Sequence, residues 1–247
     1  MKKLDDSQVE AFDTEYVDEV RWKTIKACID QSFPAGEFTF LDVGGGNGKF
    51  ADLVLAEYPK ATGTVLDNSA VLIARNQPNE RKTVILDSVE SVERIDARYD
   101  MIFLHWLLHH LVSDSYAHTR KNQLGTLNAA KARLAAGGRI SVFENFYDGL
   151  LIDNLPGLLI YLLTSCRALA GVTRRLGANT AGVGVCFLSK QEWLSSFRDA
   201  GLEVLGFAEP DQWVWRLPPV RRILLHVRRR YQGHFWLCAR ELPPQTP

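Results

Sequence analysis

The chain carries no net charge, because 29 lysines and arginines balance 29 aspartates and glutamates over 247 residues. That balance argues against a nucleic-acid surface as the main partner, since such surfaces need an excess of cations. Cysteine is scarce as well. Cys28, Cys166, Cys186 and Cys238 are scattered without a Cys-x-x-Cys pair, so neither a zinc site nor a disulfide framework is indicated. Free thiols suit a cytoplasmic protein. An uninterrupted apolar run of the ~20 residues that a membrane span requires is missing too. The most apolar stretch, Leu155 to Leu163, is broken by Pro156-Gly157 and followed by Arg167. The start, Met-Lys-Lys-Leu-Asp-Asp, turns acidic before any apolar run, unlike a signal peptide. With 46% hydrophobic and 23% charged residues, a globular chain of one large α/β domain is expected.

What the chain does have is glycine in one place. Phe38, Phe40, Leu41 and Val43 lead straight into Gly44, Gly45, Gly46 and Gly48, after which an apolar-periodic helix is predicted from Lys49 to Tyr58. This is a buried strand, a tight turn and a helix start, where missing Cβ atoms let a ligand lie against the backbone. The dinucleotide fingerprint would place its third glycine where this chain has Lys49. A pyrophosphate thus loses its usual seat. A ligand with a nucleoside and no phosphate fits better, S-adenosylmethionine being the commonest. Strands are predicted at 62–67 and 82–87, ending in Asp67 and Asp87, then from Tyr99 to Leu104 and from Arg139 to Glu144. The fifth follows a helix expected to halt at Gly137-Gly138. Polar residues at the carboxyl ends of strands are where open α/β sheets bind ligands, and Asp67 is spaced to accept both ribose hydroxyls.

Asp42-Val43-Gly44-Gly45-Gly46-Asn47-Gly48, Glu57-Tyr58-Pro59, Gly63 to Asp67, Leu108-His109-His110 and Gly137 to Glu144 resemble the class I S-adenosylmethionine-dependent methyltransferases. More narrowly, they resemble the catalytic domain of plant-type and microbial natural-product O-methyltransferases. The likeness is good over 38–147 and looser over 186–240. It implies a Rossmann-like, seven-stranded, mostly parallel sheet with helices on both faces, an antiparallel last strand and a helical lid insertion. On this reading 1–36 form a helical cap and 37–247 the methyltransferase domain, with the insertion at about 149–186. S-adenosylmethionine would be held by Asp42, Gly44, Gly45, Gly46, Asp67, Asn68, Asp87, Ser88 and His105.

Two appendages flank this core. Val9, Phe12, Tyr16, Val20 and Trp22 to Ile25 recur at helical spacing, and the segment ends near Pro34-Ala35-Gly36. Tyr16 and Arg21 are placed to touch the carboxylate end of the cofactor, with plain packing as the competing reading. The insertion, apolar nearly all round over Leu155 to Leu163, must be covered by something: the core, a bound acceptor as a lid, or a second subunit. It ends at Ser189-Lys190-Gln191-Glu192, a capping box. Further on, Arg216 to Arg230 read as a basic, solvated helix that leaves peripheral contact with an acidic surface open.

Methyl transfer to a hydroxyl needs alignment of the partners and a base near neutrality. The segment Trp106-Leu107-Leu108-His109 matches the family's general-base segment, so the resemblance gives His109 that role and Glu144 the role of orienting its imidazole. The acidic residue and tryptophan that follow in the family are His110 and Leu111 here. The family's second acid is replaced by Gly184-Val185-Cys186-Phe187. Trp106, His110, Phe146, Tyr147 and Tyr161 are the candidate acceptor-binding residues. No metal is expected. The acceptor is a small, partly hydrophobic molecule, with O-methylation the first reading. N-, C- or carboxyl-methylation by proximity and a non-methylating cofactor-binding protein of the same fold stay open, as does the choice between monomer and homodimer.

Overall fold

The computed structural model describes residues 1–2, 8, 17–210 and 213–240. Eight strands form one sheet: β1 (Thr39–Val43), β2 (Thr62–Asp67), β3 (Lys82–Leu86), β4 (Tyr99–His105), β5 (Leu134–Gly149), β6 (Leu202–Ala208), β7 (Val214–Trp215) and β8 (Val227–Ala239). Seven of them run in the order β3-β2-β1-β4-β5-β8-β6, and the two-residue β7 pairs with β8 off that path. β1 to β5 pair in parallel, while β8 is antiparallel to both β5 and β6. The strand order reverses between β1 and β4, which opens a crevice at their carboxyl ends.

Helices cover both faces because each presents one apolar stripe. α1 (Glu19–Ser32) is capped by Asp18, which accepts from the Arg21 N–H, and it buries Ile25 and Ile29. It packs with α2 (Lys49–Glu57), whose Val54 and Leu55 are buried in the same cluster. The short α3 (Ala70–Ile73) follows β2. On the other face α4 (Tyr116–Ala132) contributes Leu127 and Ala130, and α7 (Lys190–Asp199) contributes Trp193 and Phe197. Between β5 and α7 lie α5 (Leu155–Ser165) and α6 (Ala170–Arg175), and α8 (Pro219–Leu224) precedes β8. Of the expected capping box the Ser189 half is present, its hydroxyl accepting from the Glu192 N–H at 3.1 Å, while the Glu192 carboxylate accepts from Arg120 at 3.1 Å.

Four expectations change. The helix predicted to reach Gly137-Gly138 ends at Ala132, and both glycines lie inside β5, because Leu134 already pairs with Tyr99 of β4. The helix from Lys49 stops at Glu57, with Tyr58 as its cap. The Arg216 to Arg230 stretch is not one helix. Arg221 and Arg222 lie on α8, the chain turns at His226 (φ 56°), and Arg228, Arg229 and Arg230 are ladder residues of β8. The sheet also gains β7 as an eighth strand. Val9, Phe12 and Tyr16 lie outside the described residues.

Gly63 shows how tightly the central strands are packed. A Cβ there would sit 2.1 Å from the Phe40 ring, which itself meets Phe103 at 5.7 Å between centroids. Gly63→Ala is expected to cost about 1–3 kcal/mol by overpacking, read as a lower denaturation midpoint with unchanged slope.

Candidate functional site

A cavity of about 620 Å³ opens at the carboxyl ends of β1, β2 and β4. Its floor is the glycine turn. The Gly44 N–H donates to the Leu66 carbonyl at 2.7 Å, and the Gly48 N–H donates to the Gly45 carbonyl at 2.9 Å. Gly44 (φ 76°) and Gly46 (φ 52°) adopt left-handed backbone that other residues rarely take. A Cβ on Gly44 would lie 2.8 Å from Leu107, and one on Gly46 3.2 Å from Leu72. Asp42 is buried beneath Gly45. Asn76 ties the turn down, its amide donating to the Gly46 carbonyl at 2.8 Å.

Asp67 ends β2 and accepts the Gly46 N–H at 3.0 Å and the Ser69 N–H at 2.8 Å. Burial pushes its carboxyl above the ordinary range, against the pull of those backbone donors. Asp87 is held lower than usual, chiefly by the Ser88 N–H and also by Arg94 at 3.1 Å. Gly44, Gly45, Gly46, Asp42, Asp67, Asn68, Asp87, Ser88 and His105 all line the cavity. So do Met1, Lys2, Val17 and Glu90, which sequence reasoning did not single out.

The far wall is built by a sharp turn. Trp106 takes φ 49°, uncommon for a bulky residue, and redirects the chain from β4 into a 3-10 turn, Leu108–His110. The Trp106 ring stacks on Phe143 at 4.8 Å. That turn brings His109 and His110 into the cavity lining. His109 Nδ1 lies 2.5 Å from Glu144 Oε2. Glu144 is fully buried, and its Oε1 also accepts the Leu108 N–H at 2.9 Å. The carboxylate thus holds both the imidazole and the turn that carries it. His110, desolvated and close to His109, is held well below its ordinary range and stays neutral.

The remaining acceptor candidates fall in different places. Trp106 and His110 line the cavity. Phe146 does not. It is completely buried against Tyr231, Phe207 and Phe235, because the β8 and β6 ladder brings those rings over it. Tyr161 is likewise buried, its hydroxyl donating to the Ser113 carbonyl at 3.0 Å, and it packs α5 onto the core. Tyr147 sits one layer back, stacked on Phe187 at 4.7 Å, and Phe187 in turn meets the His109 ring at 4.9 Å. Phe187 lies where a second acid was sought. The neighbouring Cys186 N–H donates to the His109 carbonyl at 2.9 Å. Arg21 bonds Asp18 and Gln232 and stacks over Trp106 and Trp213, outside the cavity lining.

Behind the wall runs a buried polar chain that no local motif signals. His105 Nε2 and His234 Nε2 each lie 2.8 Å from the Ser141 hydroxyl. One imidazole donates to the hydroxyl oxygen and the other accepts from its hydrogen. Desolvation, with the nearby His234 adding to it, holds His105 well below its ordinary range, and burial pushes His234 down to about 3.

With this geometry established, similarity to known proteins can be weighed. Residues 41–140 match the family model of a methyltransferase domain. The chain has a class I methyltransferase fold. A S-adenosylmethionine-dependent methyltransferase from Geobacter sulfurreducens, solved with S-adenosyl-L-homocysteine, is 17% identical with TM-score 0.60, covering 97% of this chain and 100% of that one. CalO1, a methyltransferase of calicheamicin biosynthesis solved with S-adenosylhomocysteine, is 18% identical with TM-score 0.52 over 95% of this chain. The mitomycin 7-O-methyltransferase MmcR is 16% identical with TM-score 0.53 over 89% of this chain. This chain spans 58% of CalO1 and 55% of MmcR. No curated protein matches the chain in sequence.

The histidine chain makes a pH prediction. A depressed folded-state pKa means that the unfolded chain binds the proton first. Stability is therefore complete above the unfolded value and falls as pH drops from about 6.5 toward the folded value. His234 alone is expected to cost about 2 kcal/mol between pH 7 and 5. Denaturant titrations of wild type and His234→Gln at both pH values check this, and the variant should lose that part of the pH dependence.

Proposed function

We propose that the chain is an S-adenosylmethionine-dependent methyltransferase acting on a hydroxyl of a small, partly hydrophobic acceptor. One observation carries the reading: one cavity is lined by the glycine turn, by Asp67 and by His109, whose imidazole is held by the buried Glu144. The residues suit the cofactor. Gly44 and Gly46 form a cradle that a Cβ would fill, and Asp67 keeps lone pairs beyond those used by Gly46 and Ser69. A cavity of about 620 Å³ is the right size for a ligand of that class. The neighbours solved with S-adenosylhomocysteine support the same choice.

When bound, the cofactor supplies an electrophilic methyl group on a sulfonium. Asp67 accepts the ribose hydroxyls, and the backbone of Gly44 to Gly46 lies against the ligand. An ionised Glu144 accepts from Nδ1–H of His109, which fixes the tautomer and leaves Nε2 with its lone pair. That nitrogen would take the acceptor's hydroxyl proton, and Glu144 would stabilise the imidazolium that results. Phe187 covers the His109 ring and keeps water from it, and Trp106 gives the cavity an apolar wall for the acceptor.

Two outcomes follow for the cofactor end. Asp67→Ala is expected to weaken S-adenosylmethionine binding by about 1.5–3 kcal/mol in calorimetry, the range for charge-assisted hydrogen bonds. The Asp67 carboxyl is raised, so it takes up a proton at a higher pH than an ordinary aspartate. Affinity should thus fall on acidification above the usual carboxylate range, and Asp67→Asn should remove that pH dependence.

For the acceptor end, His109→Ala should lower turnover by ~10²–10⁴ with little change in cofactor affinity. Glu144→Gln should lower it less, keeping an acceptor for Nδ1–H and losing the charge. Near-normal turnover in His109→Ala would refute the base. An amine, carboxylate or acidic carbon would then be the acceptor, since proximity suffices for those.

A further inference from the structure

Outside the cavity, the chain concentrates two things in the same place: exposed aliphatic side chains and unopposed arginines. Twelve of the fifteen exposed large apolar side chains among the described residues fall within 150–176 and 215–224. Leu151 is 91% exposed, Ile152 57%, Val172 55%, Leu176 56%, Ile223 70% and Leu224 71%. Although far apart in sequence, these segments form one face. The Arg221 guanidinium donates to the Leu176 carbonyl, and the Leu150 N–H donates to the His226 carbonyl. Ile160 of α5 is buried with Val227, and Leu217 and Leu225 pack against them from either end of α8.

The charge on this face is mostly of one sign. Residues 154–189 hold three arginines and 213–230 hold six, with no aspartate or glutamate in either stretch. Arg167, Arg174, Arg175, Arg221 and Arg222 are exposed, and no carboxylate of the described residues pairs with them. Nearby carboxylates are engaged elsewhere, Asp153 with the Ser189 hydroxyl and Asp148 with Arg228. A second copy of the chain fits such a face poorly, because a two-fold contact would set arginine against arginine.

We infer that this face docks on an anionic phospholipid bilayer, with Leu151, Val172, Ile223 and Leu224 entering the acyl boundary and the arginines meeting the headgroups. Aliphatic side chains ringed by arginine are the composition of an interfacial anchor. Arginine stems lie along the apolar surface while their heads stay wet. No single described helix is long and apolar enough to cross a membrane, but α5 with residues 167–175 passes that test as a pair bent by 79°, which suits lying on the surface. The anchor also adjoins the site. Gly157 of α5 packs directly on the Phe187 carbonyl, and the Phe187 ring covers His109.

The test is co-sedimentation of the full chain with vesicles of phosphatidylcholine alone and with roughly one-quarter phosphatidylglycerol, at low and high salt. The chain should bind the anionic vesicles at low salt and the neutral ones far less. The exposed double variant Leu151→Glu with Ile223→Glu should bind at least about tenfold more weakly. Its melting temperature and S-adenosylmethionine affinity should match wild type. Absence of binding to the anionic vesicles, or equal binding by the variant, overturns the proposal. So does sedimentation velocity showing a wild-type dimer that the variant abolishes, which would give the face to a second copy. An anchored chain that binds no S-adenosylmethionine would refute the enzymatic reading and leave this one standing.

Discussion

A carboxylate with no access to water is costly unless donors surround it, and Glu144 is in that position. Its donors come mainly from one short turn, the Leu108 N–H, the His109 ring nitrogen and, more loosely, the His109 N–H, with the Asn145 N–H of β5 adding another at 3.3 Å. The turn can present them only because Trp106 takes a left-handed conformation at the end of β4. That costs of order 1–3 kcal/mol at a bulky residue, and the ring's stacking on Phe143 and the bonds to Glu144 offset it. Strain, buried charge and imidazole orientation are thus one arrangement. Removing any part releases the others.

The sheet makes this arrangement possible. β4 and β5 are adjacent and parallel, with His105 opposite Phe143, so the turn that follows β4 lies beside Glu144, the next residue along β5. The reversal of strand order between β1 and β4 puts the glycine turn across a crevice from that pair. Binding and chemistry can then be handled by separate walls. One wall is backbone without side chains, which tolerates close approach. The other carries the imidazoles of His105, His109 and His110 among aromatic rings, which limit the access of water.

Electrostatics divides the molecule in the same manner. Its net charge is zero, yet the stretches 154–191 and 213–240 carry cations without acids. The carboxylates are gathered on the remainder, including those at the ends of β2 and β3 that line the cavity. The buried histidines His105 and His234 add no charge, because desolvation keeps both neutral. Ser141 links them and lets the pair remain hydrogen-bonded inside an aromatic core.

Much of this was legible in the amino-acid order. The strand ending in Asp67, the place of Asp87 just past β3, the glycine turn and the Ser189 cap are local features. Apolar periodicity and backbone freedom determine them within a few residues. His109 was legible as a candidate through its neighbours Trp106 to Leu108. Other decisions rested on chain segments meeting across long separations. β5, expected to end at Glu144, runs on to Gly149 because it keeps pairing with β8. Phe146 has the same strand parity as Glu144, yet Tyr231 and Phe207 close over it and place it in the core. Ser141 and His234 are 93 residues apart, and only the pairing of β5 with β8 joins them. Phe187 reaches His109 because the insertion folds back onto the 3-10 turn. Sequence by itself determined where the chain could bend and bind. Tertiary packing decided which side chains share that space, because burial and contact depend on strand neighbours that no local pattern encodes.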